Sequence, residues 1–232
     1  MPTRELVSDF TIETLSRTIE QTVLEPDHTF ASVDGACEEA VTHGLASVCV
    51  APYVVERAAR LLRGTPVKVC GTVGIPLGYS GLAAKVNETR TCIEAGAAEI
   101  DMVINLVAMK SGRYADVRQE IEAIRRVTTG CVLKVILECC YLTDTEKARA
   151  CEYAREAGAD YIVTNTGFGK GGARLRDIEL LRRLTGRRMR IKAAGGIRSF
   201  AQVREFLRVG AARIGTSDAL SIIKGFYSSE LE

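Results

Sequence analysis

Tryptophan is absent from the 232-residue chain, histidine occurs only at positions 28 and 43, and aromatic residues make up 6% of the total. So few rings argue against a stacking platform for single-stranded nucleic acid. Two histidines offer little imidazole for a metal centre, and neither a metal site nor a cofactor is expected. The chain also lacks an excess of either charge: 31 basic residues against 29 acidic ones leave +2, too even for a polyanion track. No apolar run approaches the roughly 18 residues of a membrane span. The opening MPTRELVSDFTIETLS has no apolar signal core. No nucleic-acid or membrane partner is expected, and a soluble cytoplasmic protein is the simplest expectation.

Hydrophobic residues are plentiful, at 47%, and the length suits one domain over residues 1–232 with a sizeable core. The eight cysteines (37, 49, 70, 92, 131, 139, 140 and 151) have no spacing that suggests a disulfide framework. Their scatter fits thiols used as small hydrophobes in a reducing compartment. Cys49 and Cys70 fall in strand-like segments that can line a barrel. Adjacent Cys139 and Cys140 would face opposite sides of an extended strand.

After a short N-terminal helix, β-branched segments alternate with amphipathic ones. Strands are predicted at 19–24, 47–51, 66–73, 98–105, 132–138, 160–164, 190–194 and 212–216. Helices are predicted at about 31–43, 53–62, 80–95, 114–127, 143–157, 174–185, 199–209 and 218–228. Thr143 precedes Glu146 at capping-box spacing, and Gly96, Gly158 and Gly210 follow periodic segments as stop signals. Eight strand–helix repeats predict a single-domain (β/α)8 (TIM) barrel with its chemistry at the strand C-terminal ends. An open doubly wound sheet is the alternative, and it would place the site at the same strand ends.

Only 8 of the 31 basic residues are lysines, and Lys68, Lys134 and Lys192 fall inside runs that otherwise look buried. Period-two alternation groups Lys134 with Ile136 and Glu138, Lys68 with Cys70 and Thr72, and Asp101 with Val103 and Asn105. Inward charges are costly unless they interact. The functional reading is a reaction chamber in which Asp101 and Lys192 move protons while Lys134 adjusts their charge states. The structural alternative is an ion-paired network, or lysines whose stems cover apolar surface.

Glycine-rich ends supply a second signal. NTGFGKGG (165–172), AAGGIRS (193–199) and GTSD (215–218) each follow a predicted strand. Backbone amides in such turns, next to a helix N-terminus, can hold a phosphate. The candidate binding residues are Gly195, Gly196, Gly215 and Ser217, with Gly167 and Lys170 as neighbours and Asn165 and Thr166 beside them. The bland reading is that the glycines only permit tight turns. Neither GFGKGG nor GIPLGYSG completes a dinucleotide or nucleotide-loop pattern.

Taken together, TVGIPLGY (72–79), EIDMVINLVAMKSG (99–112), LKVILE (133–138), ADYIVTNTGFG (159–169), IKAAGGIRS (191–199) and RIGTS (213–217) resemble the deoxyribose-phosphate aldolase family. The resemblance implies a (β/α)8 class I aldolase acting on a small phosphorylated sugar or aldehyde, often as a small homo-oligomer such as a homodimer. In that family one lysine forms a Schiff base with a carbonyl, a second lysine assists electrostatically, and an aspartate assists proton transfer. By resemblance Asp101 matches the aspartate and Lys192 the assisting lysine. The Schiff-base lysine falls on Val163, beside the pocket-lining Cys49 and Cys70.

Valine cannot attack a carbonyl. The segment IEQTVLEP (19–26) departs as well: Glu20 and Gln21 stand where acidic and histidine residues are usual, and Glu25 replaces a common lysine. Asn165 stands at a usual serine. Three readings follow. Lys192 becomes the nucleophile, with Lys134 suppressing its protonation; or Asp101 and Lys192 catalyse an imine-free aldol, isomerase or dehydratase step; or the chain is a noncatalytic phosphometabolite binder. The terminal GFYSSELE (225–232) is either a tail that approaches substrate or frayed surface.

Overall fold

The computed structural model describes residues 10–186 and 188–230. Eight parallel strands pair in chain order, and the last returns to the first: β1 (Ile19–Val23), β2 (Ser47–Val50), β3 (Lys68–Val73), β4 (Glu99–Val103), β5 (Val132–Ile136), β6 (Tyr161–Val163), β7 (Arg190–Ala194) and β8 (Arg213–Thr216). The expected (β/α)8 barrel is therefore the observed one, and all eight predicted strands are present. Helices α1 (Ile12–Ser16), α2 (Phe30–His43), α3 (Val55–Leu61), α4 (Leu82–Glu94), α5 (Leu106–Lys110), α6 (Tyr114–Val127), α7 (Asp144–Glu156), α8 (Leu175–Thr185), α9 (Phe200–Val209) and α10 (Ala219–Glu230) surround it. None is long and apolar enough to cross a membrane.

Local chemistry explains where these elements begin and end. The Thr143 hydroxyl accepts the Glu146 amide at 3.2 Å, and the Glu146 carboxylate accepts the Thr143 amide at 2.7 Å, which fixes the start of α7. Ser199 and Gln202 form the same box at the start of α9. Outward-facing Val48, Ile100, Met102, Leu133, Val135, Ile162, Ile191 and Ile214 are buried against the helices. Each contributes about 1.5–3 kcal/mol, so the main core is the shell between sheet and helices.

Four expectations need correction. The strand predicted to run to 105 stops at Val103, because the Asn105 side chain accepts the Ala108 amide at 3.0 Å and starts α5. Five residues are too few to show a helical period, so α5 was missed. Cys139 and Cys140 lie in a 3-10 turn, not on a strand, after Glu138 adopts a left-handed conformation. Lys68 sits exposed at the entry rim of β3 rather than inside the barrel. The 225–232 segment is mostly α10, pinned by Phe226 edge-on to Phe200 with ring centroids 5.3 Å apart; residues 231–232 lie outside the described residues, as does the part of the opening segment before Phe10.

Candidate active site

Strand register and alternation stack the inward side chains in layers of four from alternate strands. Nearest the strand N-termini lie Ser47, Glu99, Tyr161 and Arg213; above them come Glu20, Cys70, Lys134 and Lys192. The third layer holds Cys49, Asp101, Val163 and Gly215, and the fourth holds Thr22, Thr72, Ile136 and Ala194. Inside this barrel the lower half is charged and the upper half is mostly apolar.

Lys192 donates to both Glu20 and Asp101, the latter at 2.5 Å. Lys134 donates to Glu20 and lies 2.7 Å from Glu99, 3.1 Å from Asp101 and 3.3 Å from the Cys70 sulfur. Arg213 reaches Glu99 at 3.4 Å and Glu20 at 3.5 Å, and Ser47 donates to Glu20 at 2.8 Å. Three carboxylates thus face three cations, all largely out of water. Burial alone would raise the Glu20 carboxyl, but the Lys134, Lys192 and Arg213 cations outweigh it and hold Glu20 well below the usual carboxylate range. Burial likewise opposes charge on Lys192, yet Asp101 and Glu20 push its pKa above the ordinary lysine value. Lys134 is raised too, against burial, by Asp101, Cys70, Glu20 and Glu99. Both lysines are therefore held as ammonium ions.

Directly above, a cavity of about 130 Å³ opens at the strand C-terminal ends, lined by Thr22, Thr166, Gly167, Gly195, Gly196, Gly215 and Ser217 among others. Gly195 and Gly196 carry φ of 105° and 74°, conformations that few other residues adopt. Gly215 serves both levels: a Cβ there would lie 2.8 Å from Lys192 Cε. The Gln21 side chain donates to the Ser217 carbonyl at 3.1 Å and accepts the Ala219 amide at 3.2 Å, setting the turn into α10. Thr216 ties this turn to the β7 end by donating to the Ile197 carbonyl at 2.6 Å. Helices α9 and α10 start within a few residues of these turns.

The structure thus unites Asp101, Lys192 and Lys134 in one cluster, and Thr166, Gly167, Gly195, Gly196, Gly215 and Ser217 in the cavity above it. It separates others. Exposed Lys170 turns away from the cavity, its ammonium 5.0 Å from the centre of the Tyr141 ring in a groove on the far side of the β6 loop. Asn165 is fully buried, accepting the Cys140 amide at 3.2 Å, and so braces the loop without lining the cavity. Cys49, Cys70 and Val163 line the barrel interior rather than the open cavity, because the fourth layer closes over them. Val163 packs with Val103, Ile136 and Ala194, against Ile75.

Sequence reasoning left Glu20, Glu99, Ser47 and Arg213 out of the candidate set. Alternation in IEQTV and RIGT could have turned Glu20 and Arg213 inward. Glu20, Cys49, Cys70 and Asp101 bring ligand atoms within 4.8 Å of one another, a grouping able to hold a metal ion. The Lys134 and Lys192 ammonium groups already contact both of its carboxylates. Burial, helped by the hydrogen bond to Cys49, also keeps the Cys70 thiol well above its usual pKa. The donor set as it stands suits ammonium better than a metal.

Buried lysines and carboxylates beneath a glycine-lined mouth define a (β/α)8 barrel with a lysine–carboxylate centre. The description "DeoC/LacD family aldolase" matches residues 15–226, and the chain belongs to this family. It is 44% identical over 220 residues to a deoxyribose-phosphate aldolase of Carboxydothermus hydrogenoformans, covering 93% of this chain and 96% of that one. The Brevibacillus brevis deoxyribose-phosphate aldolase is 46% identical over 211 residues, covering 91% and 96%. Among solved structures, a putative deoxyribose-phosphate aldolase from Coccidioides immitis superposes with a TM-score of 0.89 at 36% identity, covering 97% of this chain and 87% of that one. The deoxyribose phosphate aldolase of Aeropyrum pernix, described as having a unique tetrameric structure, gives 0.89 at 31% identity, covering 98% and 100%.

Proposed function

We propose that this protein makes or breaks a carbon–carbon bond of a small phosphorylated sugar or aldehyde by an aldol-type reaction that needs no imine. The position that the family resemblance assigns to the Schiff-base lysine is Val163, fully buried in an apolar cluster with Val103, Ile136 and Ala194. The observation that carries the reading is the state of Lys192. Shared between Glu20 and Asp101, it is an ammonium hydrogen-bond donor rather than a free amine.

In the cleavage direction, the substrate phosphate lies in the cavity formed by Gly195, Gly196, Gly215 and Ser217, with the carbonyl turned down toward Lys192. Asp101 takes the proton of the hydroxyl two carbons from the carbonyl carbon. The carbon–carbon bond breaks, and its electron pair passes to the carbonyl oxygen. Lys192 stabilises the enolate by donating to that oxygen, and Asp101 returns the proton to carbon. A preorganised donor of this kind contributes on the order of 10²–10³ in rate. Lys134 stays a positioning cation, paired with Glu20, Glu99 and Asp101. Relatives named deoxyribose-phosphate aldolase make deoxyribose 5-phosphate the first substrate to try.

The test is borohydride treatment with deoxyribose 5-phosphate and a panel of phosphorylated sugars, read by mass spectrometry and peptide mapping beside a turnover assay. Turnover without a reducible adduct is expected. A substrate-dependent adduct on Lys192 or Lys134 would replace this mechanism with a relocated Schiff base. Ligand binding without turnover would point to a noncatalytic binder.

A further inference from the structure

Glu138 is the only described non-glycine residue with a left-handed backbone, φ 56°, and it is fully buried. Such a conformation is costly for a side chain larger than asparagine, and the chemistry above makes no use of this carboxylate. Its value lies in where the carboxylate is delivered. Oε2 accepts the Thr166 amide at 2.9 Å, and Oε1 lies 3.5 Å from the Cys140 sulfur. In return Asn165 accepts the Cys140 amide at 3.2 Å, and the Cys139 amide donates to the Thr164 carbonyl at 2.8 Å. The turn after β5 is thus stitched to the loop after β6. Gly169 completes the seat, since a Cβ there would lie 2.6 Å from Glu138 Oε1. Thr166, Gly167 and Phe168 are the very residues that wall the glycine-lined cavity on this side.

We propose that Glu138 is a positioning residue for the anion cavity: by holding the Thr166 amide, it fixes the Gly167–Phe168 wall that faces the substrate phosphate. The inference rests on the assignment of that cavity to phosphate. It also accounts for the misplaced Lys170. A loop pinned at Thr166 turns its next lysine outward, so recognition on this side comes from backbone rather than from a side-chain cation. The Phe168 amide donates to the Thr166 hydroxyl at 3.0 Å, which carries the restraint two residues further along the wall.

Isothermal titration of inorganic phosphate into the full-length protein tests this with three variants. Glu138→Gln keeps an oxygen for the Thr166 amide and should bind within about threefold of wild type, while Glu138→Leu should weaken binding about tenfold or more. Gly169→Ala leaves the carboxylate in the chain but displaces it, and its backbone is outside the left-handed region. It should weaken phosphate to a similar degree and serves where Glu138→Leu fails to fold. Wild-type affinity in folded Gly169→Ala would overturn the inference, as would equal losses in Glu138→Gln and Glu138→Leu. Failure of the wild type to bind phosphate would overturn the phosphate assignment, and this inference with it.

Discussion

Lys85 and Lys192 are both buried and both paired with carboxylates, yet the protein treats them in opposite ways. Lys85 sits outside the barrel between α4 and α6, 2.8 Å from Glu120, and donates to the Val103 carbonyl at 2.7 Å. Burial wins there: it lowers the Lys85 pKa despite Glu120 and Glu88, and raises that of Glu120 despite Lys85. Around Lys192 the balance reverses, and the charged forms of Glu20, Lys134 and Lys192 are all reinforced. The difference is the number of partners. One direct ion pair, with Glu88 more weakly felt, does not repay the desolvation of Lys85, whereas several direct pairs do for Lys134 and Lys192. The first pair pins the C-terminal end of β4, since Glu120 also accepts the Asn105 amide at 3.0 Å; the second keeps a cluster of charges inside the barrel, beneath the cavity.

The sharpest way to break the comparison is to remove each lysine in turn. Lys192→Met should lower turnover by roughly a thousandfold, about 4 kcal/mol of transition-state stabilisation, in a steady-state assay. Lys85→Met should leave turnover nearly unchanged. Lys134→Met leaves Glu20, Glu99 and Asp101 short of a shared cation, and should cost about 5 kcal/mol in urea unfolding, the upper end for a broken buried pair. Lys85→Met should cost about 3 kcal/mol, and Lys85→Met with Glu120→Leu should recover most of it, because an apolar replacement removes both buried charges together.

Acid sharpens the contrast further. Glu20 has a depressed folded-state pKa, so its contribution is complete above about pH 4.5 and is lost as pH falls through the lower folded value. The acid limb of a calorimetric melting profile should therefore be shallower in Glu20→Gln than in wild type. The smallest effect concerns Glu25, an exposed carboxylate on the cavity wall. Glu25→Lys should tighten inorganic phosphate only a few-fold, the scale of an exposed charge pair.

The barrel was legible because its strands are short β-branched runs and its helices carry caps such as Thr143 and Gly210, both local signals. The buried charge cluster was legible where a charge interrupted such a run, as at Asp101, Lys134 and Lys192. Glu20 was hidden in a segment whose departure from family pattern drew more notice than its alternation. Glu99 and Arg213 stand at the first residues of their strands, where a charge ordinarily faces solvent. Lys170 misled because a lysine in a glycine-rich loop looks like a phosphate ligand, whereas its ammonium lies over the Tyr141 ring and outside the cavity lining. Glu138 shared a predicted face with Lys134, but alternation fails at a left-handed residue.

Gly215 carries a consequence for how this chain can change. It has no side chain to contribute to chemistry, yet Lys192 passes through the space that one would fill. In a saturation scan scored by activity, position 215 should therefore look as intolerant as Lys192 itself, and a search for catalytic groups by mutational sensitivity would count it among them. Drift at these two positions is locked together: the lysine cannot keep its place unless its neighbour stays empty.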